Sequence, residues 1–168
     1  MILAAPGVIL YNNSINKQTS MSTNARIGYV LQDDSILSVY HHWDGYPQWL
    51  GVMLNEHYNT DEKVRELIDG GNMSSCYSTS KWNKETEKFD ECEGHPEYYG
   101  GDSEVPRRSQ TMQELAEIDD GQEFFYLWLK GRWHCYSIDY TRDENWNKIT
   151  TTICGLTIPT MEEVAKDS

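Results

Sequence analysis

Six consecutive apolar or aromatic residues, Phe124-Phe125-Tyr126-Leu127-Trp128-Leu129, leave this chain few ways to fold. A short continuous run of this kind reads as a central strand covered on both faces, or nearly so. The tight pair Lys130-Gly131 then turns the chain, and Arg132 to Asp139 returns beside it as a second strand. An earlier hairpin shows a different pattern. Ile27, Tyr29 and Leu31 alternate with polar residues, Gln32-Asp33-Asp34-Ser35 supplies a turn, and Leu37, Val39 and His41 resume the alternation.

Between the hairpins the period changes to that of a helix. Pro47 stands where a helix can begin, since its missing N–H costs nothing there. Leu50, Met53, Leu54 and His57 or Tyr58 then fall on one face. Asn59-Thr60 breaks this helix and caps the next, whose stripe is Val64, Leu67 and Ile68 and whose stop is Gly70-Gly71. Later come a short helix over Met112 to Ile118, a strand from Ile149 to Cys154, and a last helix opened by a Thr160/Glu163 capping box.

The segment from residue 72 onward, most plainly about 77–109, is rich in Ser, Asn, Gly and acid. It reads as an acidic irregular loop, functional or partly mobile, with Tyr77, Trp82, Phe89, Tyr98 and Tyr99 folding part of it back onto the body. Residues 1–20 read as a loosely packed N-terminal extension, with an edge strand from Gly7 to Tyr11 as the competing reading. A single domain then occupies 21–168. The fold class expected is α+β: a mainly antiparallel sheet of two β-hairpins, a helix pair on one face, and the acidic insertion.

Charge narrows the function. With 27 acidic residues against 14 Lys and Arg, the formal net charge is -13, which opposes direct nucleic-acid binding and contact with anionic membranes. The same charge suits a solvated surface or a protein that imitates nucleic acid. Cys76, Cys92, Cys135 and Cys154 are widely spaced, with no C-x-x-C pair. The apolar run Met1 to Tyr11 lacks the basic flank of an export signal and is too short to span a bilayer. The expectation is a cytoplasmic protein with reduced thiols.

The least ordinary stretch is Val39-Tyr40-His41-His42-Trp43-Asp44-Gly45-Tyr46-Pro47-Gln48-Trp49. On a strand, His41 and Trp43 share one face, while Tyr40, His42 and Asp44 share the other. Asp44 beside His42 fixes the imidazole tautomer and raises its pKa, as a general base or a metal ligand requires. The helix N-terminus beyond Tyr46 adds N–H donors for an anion. The bland reading has Asp44 satisfying backbone N–H groups, Gly45 taking an unusual φ, His42 bonding within the corner, and Trp43 and Trp49 packing it. His42, Trp43, Asp44, Tyr46 and Trp49 are thus the candidate ligand- or partner-binding residues. No nucleophile accompanies them, so no catalytic residue, metal ligand or cofactor is assigned. Cys92 and His95 have C-x-x-H spacing, but among His57, His134 and Cys135 no second pair completes a zinc site. Phosphate-loop, dinucleotide and nucleophile-elbow motifs are missing from the sequence.

The stretch from Met21 to about Ser75 carries a resemblance. Its S-x-Y-x-H-W-D-G-Y-P segment (Ser38 to Pro47), Gly51, His57-Tyr58-Asn59 and Leu67-Ile68-Asp69-Gly70-Gly71-Asn72 resemble small proteins of tailed bacteriophages, cyanophages included, that also occur in bacterial genomes. The later Tyr126-Leu127-Trp128 and Gly131-Arg132-Trp133 fit the same pattern. The group has no settled activity, so the resemblance implies a phage or prophage origin and the cytoplasm of a host cell. The function expected is a non-enzymatic accessory protein that binds a host protein or a small anionic ligand during infection, for host takeover or counter-defence. Two alternatives stand beside it: a small hydrolase or transferase using a His42/Asp44 pair, and an acidic nucleic-acid mimic.

Overall fold

The computed structural model describes residues 22–100 and 105–166. Within them the aromatic run lies in β6 (Gln122–Leu129), between β1 (Asn24–Val30) and β7 (Arg132–Arg142). Tyr126 and Trp128 enter one hydrophobic core, while Phe125 and Leu127 enter a second on the opposite face. Lys130 and Gly131 both take left-handed φ, 53° and 77°, which lets a two-residue turn follow the twist of its strands. β2 (Ile36–His41) runs antiparallel to β1 from Ala25↔His41 to Val30↔Ile36.

The two hairpins are joined by a parallel pairing, with β1 against β6 from Ala25↔Phe124 to Tyr29↔Trp128. The sheet continues outward through β3 (Met73–Asn83), β4 (Lys88–Tyr98) and β8 (Lys148–Leu156), giving the order β4-β3-β2-β1-β6-β7-β8. β5 (Arg107–Ser109) lies antiparallel along Ile36–Ser38 of β2, and β3 meets β2 in parallel at His41↔Met73.

One face is covered by a π-helical turn over Pro47–Gly51, α1 (Val52–His57) and α2 (Asp61–Asp69). They press Leu50, Leu54, Val64, Leu67 and Ile68 onto Ala25, Ile27, Val39 and Tyr126. α2 starts where Thr60 Oγ1 accepts the Lys63 N–H at 3.2 Å, with Asp61 and Glu62 at its positive end. The other face is covered by α3 (Met112–Ala116), whose Leu115 and Ala116 meet Phe125, Leu127 and Ile138. On this side Arg26 is buried and donates to Ser38 Oγ, Ser38 O and Asp120 Oδ2, each at 2.9 Å. α4 (Met161–Lys166) has its reciprocal box: Thr160 Oγ1 accepts from Glu163 N–H, and Glu163 Oε1 accepts from Thr160 N–H.

The expected α+β fold with a mainly antiparallel sheet of two hairpins does not hold. The described residues are mostly β, 47% strand and 22% helix, with eight strands in one mixed sheet among them. Much of the difference lies in the presumed acidic loop. Residues 73–98 form a long hairpin, with Trp82↔Phe89 and Asn83↔Lys88 near its tip. Met73, Cys76, Tyr77 and Tyr98 anchor its base on the first core, but toward the tip the strands are exposed, so no apolar side repeats at every second residue there and backbone ladder bonds hold them. The extension at 1–20, and residues 101–104 of the loop, lie outside the described residues. Among the described residues no helix is long and apolar enough to cross a membrane.

Candidate functional site

The corner after β2 is built by backbone first. The ladder continues one step as His42 N–H donates to Met73 O at 3.1 Å and Trp43 N–H to Ser74 O at 3.0 Å. Asp44 then takes a left-handed φ of 54°, which Asp tolerates better than most residues. Gly45 N–H reaches back to Thr23 O at 2.9 Å, and Gly45 O accepts the buried Tyr126 hydroxyl at 2.6 Å. A Cβ at Gly45 would stand 2.8 Å from Thr23 O and 2.9 Å from the Ala25 Cβ, so only glycine fits. Pro47 opens the π turn, and the Trp49 and Leu50 N–H groups both donate to Tyr46 O, at 3.1 and 2.9 Å.

This frame holds five side chains in distinct ways. Trp43 and Tyr46 are 47% and 37% exposed, and Asp44 lies exposed between them. The Tyr46 hydroxyl donates to Asp44 Oδ1 at 3.3 Å; burial, then the Asp44 charge, raise the phenol pKa. His42 is half-buried, with Nδ1 2.7 Å from the Tyr40 hydroxyl and the Trp43 ring edge-on at 4.5 Å. Trp49 is half-buried and packs against the first core.

The His42/Asp44 pair inferred from strand alternation does not form as drawn. β2 ends at His41, so residues 42 and 44 share no strand face. His42 turns to Tyr40, and Asp44 turns to Tyr46. The bland reading also needs correction. The unusual φ belongs to Asp44, not Gly45, and the π turn takes no side-chain cap.

The buried histidine of the segment is His41. Its Nε2 accepts the Cys76 N–H at 2.9 Å, which places the proton on Nδ1, and that atom has no partner among the described residues. The bond ties the end of β2 to β3 beyond their one paired position, His41↔Met73, a side chain standing in for a carbonyl. Burial, with a smaller contribution from His42, lowers the imidazole pKa to about 3. It is a neutral structural group.

Other sequence candidates scatter. His57 stacks on Tyr77 at 3.8 Å, and Cys92 Sγ lies 3.6 Å from His95 Nδ1. Among the described residues no three His, Cys, Asp or Glu side chains converge on a metal position. Of the aromatics expected to fold the acidic segment back onto the body, Tyr77 and Tyr98 pack against the first core, whereas Trp82 and Phe89 are 53% and 65% exposed and pack edge to face with each other at 5.1 Å on the β3–β4 hairpin. One feature escaped the sequence reading. A groove of about 520 Å³ runs past Asn55, Arg132, His134 and Leu156. The signal for the groove was Arg132-x-His134, two basic residues on one strand face after a tight turn. No protein-family model, curated protein or solved structure matches the chain.

Proposed function

We propose that this chain is a non-enzymatic binding protein that seizes a protein partner through the Trp43–Asp44–Tyr46 corner. The phage origin implied by the resemblance makes that partner a host protein met in the cytoplasm during infection, in host takeover or counter-defence. One observation carries the reading: two large aromatics stand exposed on a corner whose backbone is fixed from beneath by Gly45 and Tyr126. Rigid aromatics lose little conformational entropy on binding and supply most of the energy at protein interfaces.

The carboxylate of Asp44 between the rings selects among ligands. It repels a small anion and favours a basic patch on a protein, in keeping with the net charge of -13. Nucleic-acid mimicry has less support, because the β3–β4 hairpin also carries Lys81, Lys84 and Lys88 near its tip, and Lys81 sits directly opposite Asp90.

The test compares the full chain with the double variant Trp43→Ala/Tyr46→Ala as bait in a lysate of bacterial cells. The protein retained by the parent should be lost from the variant, while the melting temperature stays within a few degrees because both rings face solvent. Retention by both baits removes the corner from the interface.

A further inference from the structure

We propose that the groove beside the first residues of β7 binds an extended peptide bearing an acidic side chain, seated as an added strand along the open edge at Trp133. This site is independent of the aromatic corner. β8 accompanies β7 only as far as Cys135↔Leu156. Beyond that, Thr157 and Ile158 leave the ladder, and Ile158 packs against the first core beside Gly51. Arg132, Trp133 and His134 therefore have β6 on one side and the groove on the other.

The hairpin geometry sets which backbone groups are free. Leu129 and Arg132 flank the two-residue turn and exchange both ladder bonds. The next residue, Trp133, turns its N–H and C=O away from β6 and into the groove. An extended peptide satisfies such an edge, and its alternate side chains fall into whatever pockets lie beside it.

The lining states the chemistry of those side chains. Leu156 and Ile158 form an apolar wall, while Arg132 and His134, two residues apart, share the opposite strand face. In a chain with 27 acidic residues, no Asp or Glu among the described residues lines this groove. Among the described residues, neither the Arg132 nor the His134 side chain has an ion pair or hydrogen-bonded partner. An uncompensated guanidinium beside an imidazole calls for a carboxylate. A single Arg is too little positive charge to hold a nucleic-acid backbone against the net charge of -13.

The test is a selection of random decapeptides on the full chain, followed by amide NMR with the tightest binder. Enriched peptides should carry one Asp or Glu at a fixed place among apolar and β-branched residues. Their resonance shifts should centre on Trp133, His134, Cys135 and Leu156. Arg132→Glu, a reversal at an exposed position that leaves the melting temperature unchanged, should weaken binding about ten-fold or more. Exchanging the peptide's acid for Lys should restore it. The proposal is overturned by a selection without enrichment, by peptides that bind Arg132→Glu as tightly as the parent, or by shifts centred on Trp43 and Tyr46. Displacement of the peptide by millimolar acetate or inorganic phosphate also overturns it, by reducing the groove to an anion pocket.

Discussion

His41 makes the stability of this protein depend on pH in a way that can be worked out. In the unfolded chain its imidazole titrates near the ordinary value of about 6.5. In the folded chain burial holds the pKa down at about 3. Between these values the unfolded state binds the proton and the folded state does not, so acid favours unfolding. The stabilising contribution is therefore fully present above about pH 6.5 and is lost as pH falls toward about 3, at a limiting slope of about 1.4 kcal/mol per pH unit. From pH 7.5 to pH 5 the loss from this one group comes to about 2 kcal/mol. With a urea dependence of about 2 kcal/mol/M, the unfolding midpoint drops by about 1 M through His41 alone. The proper reference is His41→Gln, whose amide oxygen can take the place of Nε2 and accept the Cys76 N–H without titrating. The other histidines and the carboxylates are common to both proteins and cancel. Urea melts followed by tryptophan fluorescence at the two pH values should show the parent losing about 1 M more than the variant. Equal losses would refute the claim that the buried imidazole stays neutral.

Three further outcomes are expected. Asp44→Ala should cost about 1 kcal/mol and Asp44→Gly almost nothing, because the strain lies in the left-handed φ and not in a lost cap; equal costs in urea melts would implicate the carboxylate instead. Gly45→Ala should destabilise by about 2 kcal/mol, since its methyl group meets Thr23 O and Ala25; a melting temperature at the parent value would show that the corner yields easily. In native protein a thiol reagent should modify exposed Cys154 first and half-buried Cys92 next. Cys76 and Cys135, whose thiols burial pushes up in pKa, should react only on unfolding; fast modification of either would contradict their burial.

What the sequence disclosed follows from how each element is held. Ile27, Tyr29 and Val39 announce strands because one side of each faces the helix-covered core, and Val64, Leu67 and Ile68 announce α2 for the same reason. The run Phe124–Leu129 is continuous because cores lie on both sides of it. The β3–β4 hairpin has no such imprint, since residues such as Trp82, Phe89 and Glu91 face solvent. The parallel pairing of β1 with β6 joins residues far apart in the chain, and period and turn chemistry carry no trace of it. Within the corner, His42 was set beside Asp44 because alternation was carried past His41, where the strand stops. His41 itself was passed over, since one inward-facing residue of a strand looks like any other. Arg132-x-His134 shows in the sequence only as two basic residues on one face of β7, and it takes the early exit of β8 to leave them beside a groove.

The β1–β6 pairing also bears on how the chain is made. Ala25 cannot meet Phe124, nor Tyr29 meet Trp128, until roughly a hundred further residues have left the ribosome. At about 5–20 residues per second that takes roughly 5–20 s. During this interval β2, α1 and α2 can cover one face of β1, but the edge that β6 will occupy stays open, and the second core lacks Phe125 and Leu127. A nascent chain in that state offers a neighbour on the same messenger the binding place of its own β6–β7 hairpin, and an exchange of hairpins between copies follows the same register. Crowded synthesis is the condition under which such exchanged dimers should accumulate.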